Sequence, residues 1–253
     1  MPIEELDLHG QVALVTGAGR SIGRATAVAL AQAGANVALG GRTVTDLEKV
    51  ATEVRGTGAE ALVHRVDVGD PDDVTAFVDA CTRELGPPTV AVANAGLFQP
   101  WGATRDLALE DWEAIVRVDL TGTMLTCRAA AGAMRDGGSI VAVSSLAGVV
   151  GALPHAAAYT AAKAGVNGLV RSLAAEWAPE RIRVNAVAPG FVRRDDDPLA
   201  DRTEVLDDIH GKTPLDRRAA PREIALAILF LASPAASFVT GAILPVDGGF
   251  SAI

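Results

Sequence analysis

The chain has 253 residues, two cysteines and a formal net charge of −9, a length that one large α/β core can accommodate. Acidic residues run throughout and basic residues form no cluster, which argues against a nucleic-acid partner. No apolar run reaches the roughly eighteen residues of a membrane span, and Met1-Pro2-Ile3-Glu4-Glu5 lacks the basic-then-apolar order of a secretory leader. The expectation is a soluble cytoplasmic protein. Cys81 and Cys127 have no metal-ligand or redox spacing, and His9, His64, His155 and His210 are scattered. Free helical thiols and no metal are expected.

In chain order, short β-rich runs alternate with longer alanine-rich periodic ones. Strands are predicted at Val12–Thr16, Asn36–Leu39, Ala61–Val66, Thr89–Ala93, Ser139–Val143, Arg183–Val187 and Ala242–Leu244. Helices are predicted at Ile22–Ala33, Val44–Arg55, Pro71–Leu85, Leu109–Ala133, Ala156–Trp177 and Pro221–Leu231. Such alternation builds a parallel sheet covered on both faces. Gly34 can close the first helix in a left-handed conformation, and Asp70-Pro71 supplies an N-cap followed by a proline in the first turn. No linker or repeat divides the chain, so 1–253 reads as one domain. The polar stretch within 191–218 is too long for a simple connection. Beyond the C-terminal end of a strand it is a candidate substrate-binding lid.

Gly17, Gly19 and Gly23 fall between the first strand and the first helix, where a tight turn can bring backbone N–H groups to a pyrophosphate. The second strand ends Leu39-Gly40-Gly41-Arg42, without the carboxylate that would hold the ribose hydroxyls of NAD. Arg42, with Arg20 from the glycine loop, is suited to a 2′-phosphate. NADP(H) is the preferred cofactor and NAD(H) the alternative. Asp46 reads as part of the next helix rather than as a ribose ligand.

Tyr159 and Lys163 are four residues apart in a predicted helix, so their side chains share a face. An ammonium beside the phenol favours the tyrosinate, which makes Tyr159 a candidate acid or base toward a substrate oxygen. Ser144 and Ser145 lie just upstream.

With these motifs in place, residues from about His9 to Gly249 resemble the short-chain dehydrogenase/reductase family. The resemblance implies a doubly wound Rossmann fold with a seven-stranded parallel sheet flanked by helices, commonly a homotetramer, and a small-molecule carbonyl or alcohol substrate. Thr16-Gly17-Ala18-Gly19-Arg20-Ser21-Ile22-Gly23 is similar to the cofactor loop, with Ser21 where glycine is usual. Asp67-Val68 resembles the adenine-recognising pair, and Asn94-Ala95-Gly96 the motif after the fourth strand. Pro189-Gly190, with Val192 just beyond, resembles the turn at the nicotinamide. Arg194 stands where a hydroxyl residue is usual.

Ser145, Tyr159 and Lys163 map onto the family's catalytic serine, tyrosine and lysine, with Ser144 as the alternate serine. The separation of Ser145 and Tyr159 is one residue longer than the commonest family spacing. Asp119 replaces an asparagine that sits in a distorted helix and holds a water connected to the lysine. By resemblance, Asp119 belongs to the catalytic set with an altered relay. Leu97, Phe98, Trp101, Leu146, Val149, Val150 and Leu153 are candidates for an apolar substrate wall, and His155 for a polar contact. In this reading the nicotinamide exchanges a hydride with a carbonyl or secondary alcohol, with Tyr159 as general acid or base. The rivals are an NAD-dependent alcohol, sugar or polyol dehydrogenase, and a catalytically weak nucleotide-binding regulator.

Overall fold

The computed structural model describes residues 3–98, 103–150, 155–193 and 211–253. Seven strands, β1 (Val12–Thr16), β2 (Asn36–Gly41), β3 (Ala61–Arg65), β4 (Val90–Ala93), β5 (Gly138–Val143), β6 (Ile182–Pro189) and β7 (Ile243–Val246), form one sheet in the order β3-β2-β1-β4-β5-β6-β7. Every pairing is parallel. The chain winds outward from β1 to β3, then restarts beside β1 with β4. The loops after β1 and β4 therefore diverge, and a crevice opens between them.

The strands are buried on both faces, so their sequences carry little alternation of polarity. The packing does alternate. Ala13 and Val15 of β1, Val90 and Val92 of β4, and Val141 and Val143 of β5 face one core, whereas Leu14, Ala91, Ala93, Ile140 and Ala142 face the other. Helices α1 (Ser21–Gln32), α2 (Val44–Arg55) and α8 (Pro221–Ala232) cover the first face. Helices α3 (Pro71–Glu84), α5 (Gly122–Ala133) and α7 (Ala157–Trp177) cover the second.

Local signals explain the helix boundaries. Asp70 accepts from the N–H groups of Asp72 and Asp73 at the start of α3. Gly34, at φ 102°, ends the turn after α1. Both cysteines are free and buried, Cys81 in α3 and Cys127 in α5, and burial pushes each thiol up to about 12.

The predicted helix Leu109–Ala133 is three pieces: α4 (Leu109–Ile115), a π-helical segment (Val116–Thr121) and α5. A π segment keeps helical dihedrals while adding a residue per turn, so hydrophobic spacing does not reveal it. A four-residue helix, α6 (Ala147–Val150), was also outside the sequence reading.

The ends of the 191–218 excursion are tied together. Val192 and Ala219 form a parallel bridge, and Arg193 N–H donates to the Ala219 carbonyl at 2.9 Å. Arg217 adds two hydrogen bonds to Glu223, at 2.7 and 2.8 Å. The Arg217 hydrogen bonds, followed by the Ala220 N–H, hold the Glu223 carboxyl down to about 2. The folded value lies below the ordinary one, so this clamp stabilises fully above the usual carboxylate range and weakens as pH falls through about 2. Residues 194–210, the greater part of the expected lid, lie outside the described residues.

Phe77 of α3 supports the end of β2 from below. Its ring would be 2.7 Å from a Cβ built on Gly40, and it is 1% exposed. Phe77→Ala is expected to lower the unfolding free energy by about 3–5 kcal/mol, measured by urea denaturation.

Candidate active site

At the crevice beyond β1 and β4 lies a cleft of about 700 Å³. Its floor is the glycine loop. Gly17 adopts φ 65°, and a Cβ on Gly23 would stand 2.1 Å from the Gly17 carbonyl oxygen. Asn94 fastens this turn to β4, its amide donating to the carbonyls of Thr16 at 2.9 Å and Gly17 at 3.1 Å. A glycine-rich turn at the start of a twelve-residue helix suits a pyrophosphate, with the helix dipole adding to its N–H groups.

Ser21 has φ 49°, which explains why glycine would be at home there. The left-handed conformation costs a serine about 1–2 kcal/mol, and the loop tolerates it. Arg20, just before α1, and Arg42, just after β2, both line the cleft. Asp46 does so too, a placement the sequence reading missed. It lies in the first turn of α2, with its Cβ 3.2 Å from a Cβ built on Gly19, and its carboxylate pairs with Lys49 at 3.2 Å. Its place near the start of the helix after β2 was the available signal.

Farther along, Asp67 and Val68 line the cleft. Asp67 accepts from the Gly69 N–H at 2.9 Å and lies 3.4 Å from Arg117. The Gly69 hydrogen bond is the largest effect and holds its carboxyl below the usual range; burial opposes it, and the charge and hydrogen bond of Arg117 and the charge of Arg42 add to the lowering. Ala95, Gly96, Pro189, Gly190, Ile22 and Val192 complete this part of the lining. Arg218 and Phe191 also line it and were not singled out in sequence.

At the far end, α7 presents Tyr159 and Lys163, while the loop after β5 presents Ser145, 7% exposed, and Leu146. Ser145 Oγ accepts from the Ala147 N–H at 3.2 Å. Ser144 faces inward, donating to Asn167 Oδ1 at 2.6 Å. Both serines line the cleft, and the Ser144 hydroxyl is already engaged with Asn167. Phe98 lines the cleft edge-on to Tyr159, with ring centroids 5.3 Å apart.

Lys163 Nζ donates to the Val143 carbonyl at 2.9 Å and lies 3.0 Å from Asp119 Oδ1 and 5.6 Å from the centre of the Tyr159 ring. The second Asp119 oxygen, Oδ2, accepts from the Leu97 N–H at 2.8 Å. Burial by itself would lower the Lys163 pKa, but the charges of Asp119 and then Tyr159 turn the net shift upward. A raised folded value means that the pair stabilises fully below the ordinary lysine range and is lost only as pH rises through the folded pKa.

The distortion expected around Asp119 is present as the π segment. The Asp119 carboxylate pairs directly with the Lys163 ammonium, and the Asp119 carbonyl accepts from Thr123 Oγ1 at 2.8 Å. The aspartate side chain is long enough to reach the ammonium itself.

His155 is exposed, with φ 64°, and is not among the residues lining the cleft. The chain turns there to enter α7. Val149 and Val150 lie on α6 and also stand apart from the cleft lining. Trp101, Leu153 and Arg194 lie outside the described residues.

Comparison with known proteins agrees with this arrangement. A family model described as enoyl-(acyl carrier protein) reductase matches residues 17–251. The cis-4-hydroxycyclohexanecarboxylate dehydrogenase of Sinomonas cyclohexanicum is 44% identical over 247 residues, covering 96% of this chain and 97% of that one. A solved short-chain type dehydrogenase/reductase from Mycobacterium marinum superposes with a TM-score of 0.93 at 40% identity over 99% of both chains. An Agrobacterium tumefaciens protein solved with bound NADP gives a TM-score of 0.91 at 34% identity, covering 99% of this chain and 100% of that one. The fold and the cleft define a nicotinamide-dinucleotide oxidoreductase acting on carbonyl or alcohol groups. The chain belongs to the short-chain dehydrogenase/reductase family.

Gly23→Ala is expected to reduce dinucleotide affinity at least about tenfold, because the added methyl group would collide with the Gly17 carbonyl. Isothermal titration calorimetry checks this, with circular dichroism confirming that the variant is folded.

Proposed function

We propose that the protein is an NADP(H)-preferring oxidoreductase that interconverts a ketone and a secondary alcohol, with Tyr159 as general acid or base. The observation that carries the reading is that Tyr159, Lys163 and Ser145 line the same cleft as Gly17, Gly19 and Gly23. Cofactor and reacting oxygen thus have one shared site. When bound, the nicotinamide end exchanges the hydride with the substrate carbon.

The protein's own groups handle the proton and the developing charge. Tyr159 protonates the substrate oxygen in reduction and accepts its proton in oxidation. Ser145 donates a hydrogen bond to the same oxygen, where negative charge grows in the transition state. Lys163 keeps a positive charge beside the phenol and has ammonium donor capacity for the ribose hydroxyls. Gly17, Gly19, Ser21, Ile22 and Gly23 hold the pyrophosphate. Asp67 and Val68 hold adenine, and Asn94, Ala95, Gly96, Pro189, Gly190 and Val192 border the nicotinamide half.

Arg20 and Arg42 support NADP(H), since guanidinium groups recognise a terminal phosphate. The protein of similar structure with bound NADP supports the same choice. One observation favours NAD(H) as a second reading: Asp46 puts a carboxylate in the cleft, which suits ribose hydroxyls better than a phosphate.

Leu97, Phe98, Leu146 and Phe191 give the cleft apolar surface. That surface and the alicyclic hydroxy acid named for the Sinomonas relative support a substrate whose carbonyl or hydroxyl sits on an apolar ring. We further propose a cytoplasmic homotetramer with 191–218 as the substrate-binding segment.

Initial rates with NADPH and NADH on alicyclic ketones, with the reverse oxidations in parallel, test this reading. Tyr159→Phe is expected to lower kcat by about 10²–10⁴-fold while leaving dinucleotide affinity intact. Arg42→Ala is expected to weaken NADPH binding roughly tenfold or more and to leave NADH binding nearly unchanged. Equal losses for the two cofactors would overturn the NADP(H) assignment.

A further inference from the structure

Asp119 and Lys163 are the most deeply enclosed ionic pair among the described residues, with side chains 0% and 3% exposed. Leu97 N–H and the Lys163 ammonium engage different carboxylate oxygens of Asp119, fixing it from two sides. On the other side of the ammonium are the Val143 carbonyl and, 5.6 Å away, the ring of Tyr159. Gly96 closes the remaining approach, since a Cβ there would be 2.8 Å from Asp119 Oδ1 and 3.6 Å from Lys163 Nζ.

Among the described residues, the ionisable groups at this end of the cleft are Tyr159 and Lys163 from α7 and Asp119 from the π segment. The described part of β5 and its following loop contributes a carbonyl, the Ser144 and Ser145 hydroxyls and the apolar Leu146, and the described part of the loop after β4 contributes the Leu97 N–H and the Phe98 ring. The other charged residues of the lining, Arg20, Arg42, Asp46, Asp67 and Arg218, belong to the loops after β1, β2 and β3, to α2 and to the segment entering α8.

We propose that Asp119 is a positioning residue that acts through Lys163, as a built-in counter-ion that keeps Tyr159 in its proton-donating state to higher pH. The inference rests on the acid–base role proposed for Tyr159. With the phenol protonated, Asp119, Lys163 and Tyr159 sum to zero charge, and ionising the phenol leaves this buried cluster negative. With an uncharged residue at 119, the same ionisation starts from one positive charge and ends at neutrality. Charge separation in a poorly solvated site makes the second course easier. The native aspartate therefore favours delivery of a proton to a substrate oxygen, the requirement of carbonyl reduction.

The sequence contains a single tyrosine, so the near-ultraviolet phenolate band reports Tyr159 alone and does so without turnover. Full-length wild type, Asp119→Asn, Asp119→Ser and Asp119→Glu are titrated by absorbance, with circular dichroism recorded at each pH. The band is expected to appear about one pH unit lower, or more, in the Asn and Ser variants. In the Glu variant, which keeps the charge, it is expected near the wild-type position. The ascending, acid-side limb of the oxidation profile is expected to shift in the same direction. Should one neutral variant fail to fold, the other carries the comparison.

An unchanged or higher midpoint in a folded neutral variant would overturn the proposal, as would a Glu variant that behaves like Asn. Failure of the acid–base reading would show separately, as retained turnover in Tyr159→Phe.

Discussion

The structure depends on one topological constraint: a parallel sheet that starts at its centre. Because β1 is laid down first and the chain winds to β3 before restarting at β4, the connections on either side of β1 leave in opposite directions. The cleft opens at the strand ends between them. The two cores on either face of the sheet hold this arrangement rigid, so the crevice is a fixed feature of the packing. The glycine loop, the adenine-side residues and the α7 pair are then brought together although they are far apart in sequence.

Within that frame the site joins two kinds of order. The dinucleotide end is made largely of backbone, with glycines whose missing side chains leave room and with Asn94 tying two strand ends together. The chemical end is made of side chains whose charges determine one another. Lys163 stays charged in a dry place because Asp119 lies beside it. A buried pair of this kind contributes little net stability, since desolvation offsets much of the attraction. Its value lies in fixing where a charge stands.

Much of this was legible in the sequence because it follows from local physics. The strand and helix order, the glycine turn after β1 and the shared face of Tyr159 and Lys163 all follow from spacing over a few residues. The ends of β2 and β6 ran farther than read, because Gly40, Gly41 and Pro189 look like turn residues yet remain paired in the sheet. Hydrophobic spacing did not reveal the π segment; only the resemblance implied a distorted helix around Asp119. The choice between Ser144 and Ser145 needed Asn167, twenty-three residues from Ser144, to reveal which hydroxyl is already engaged. Asp46 lines the cleft from the first turn of α2, and Arg218 from the segment leading into α8.

The bridge between Val192 and Ala219 has a further meaning. It sets two points of chain side by side at the rim of the cleft, so the stretch between them begins and ends at fixed addresses. β6 and α8 are held by their own packing and do not depend on what that stretch contains. Its length and composition are therefore free to diverge without disturbing the sheet register or the dinucleotide floor. A scaffold with such a socket can change what it recognises while keeping how it reacts.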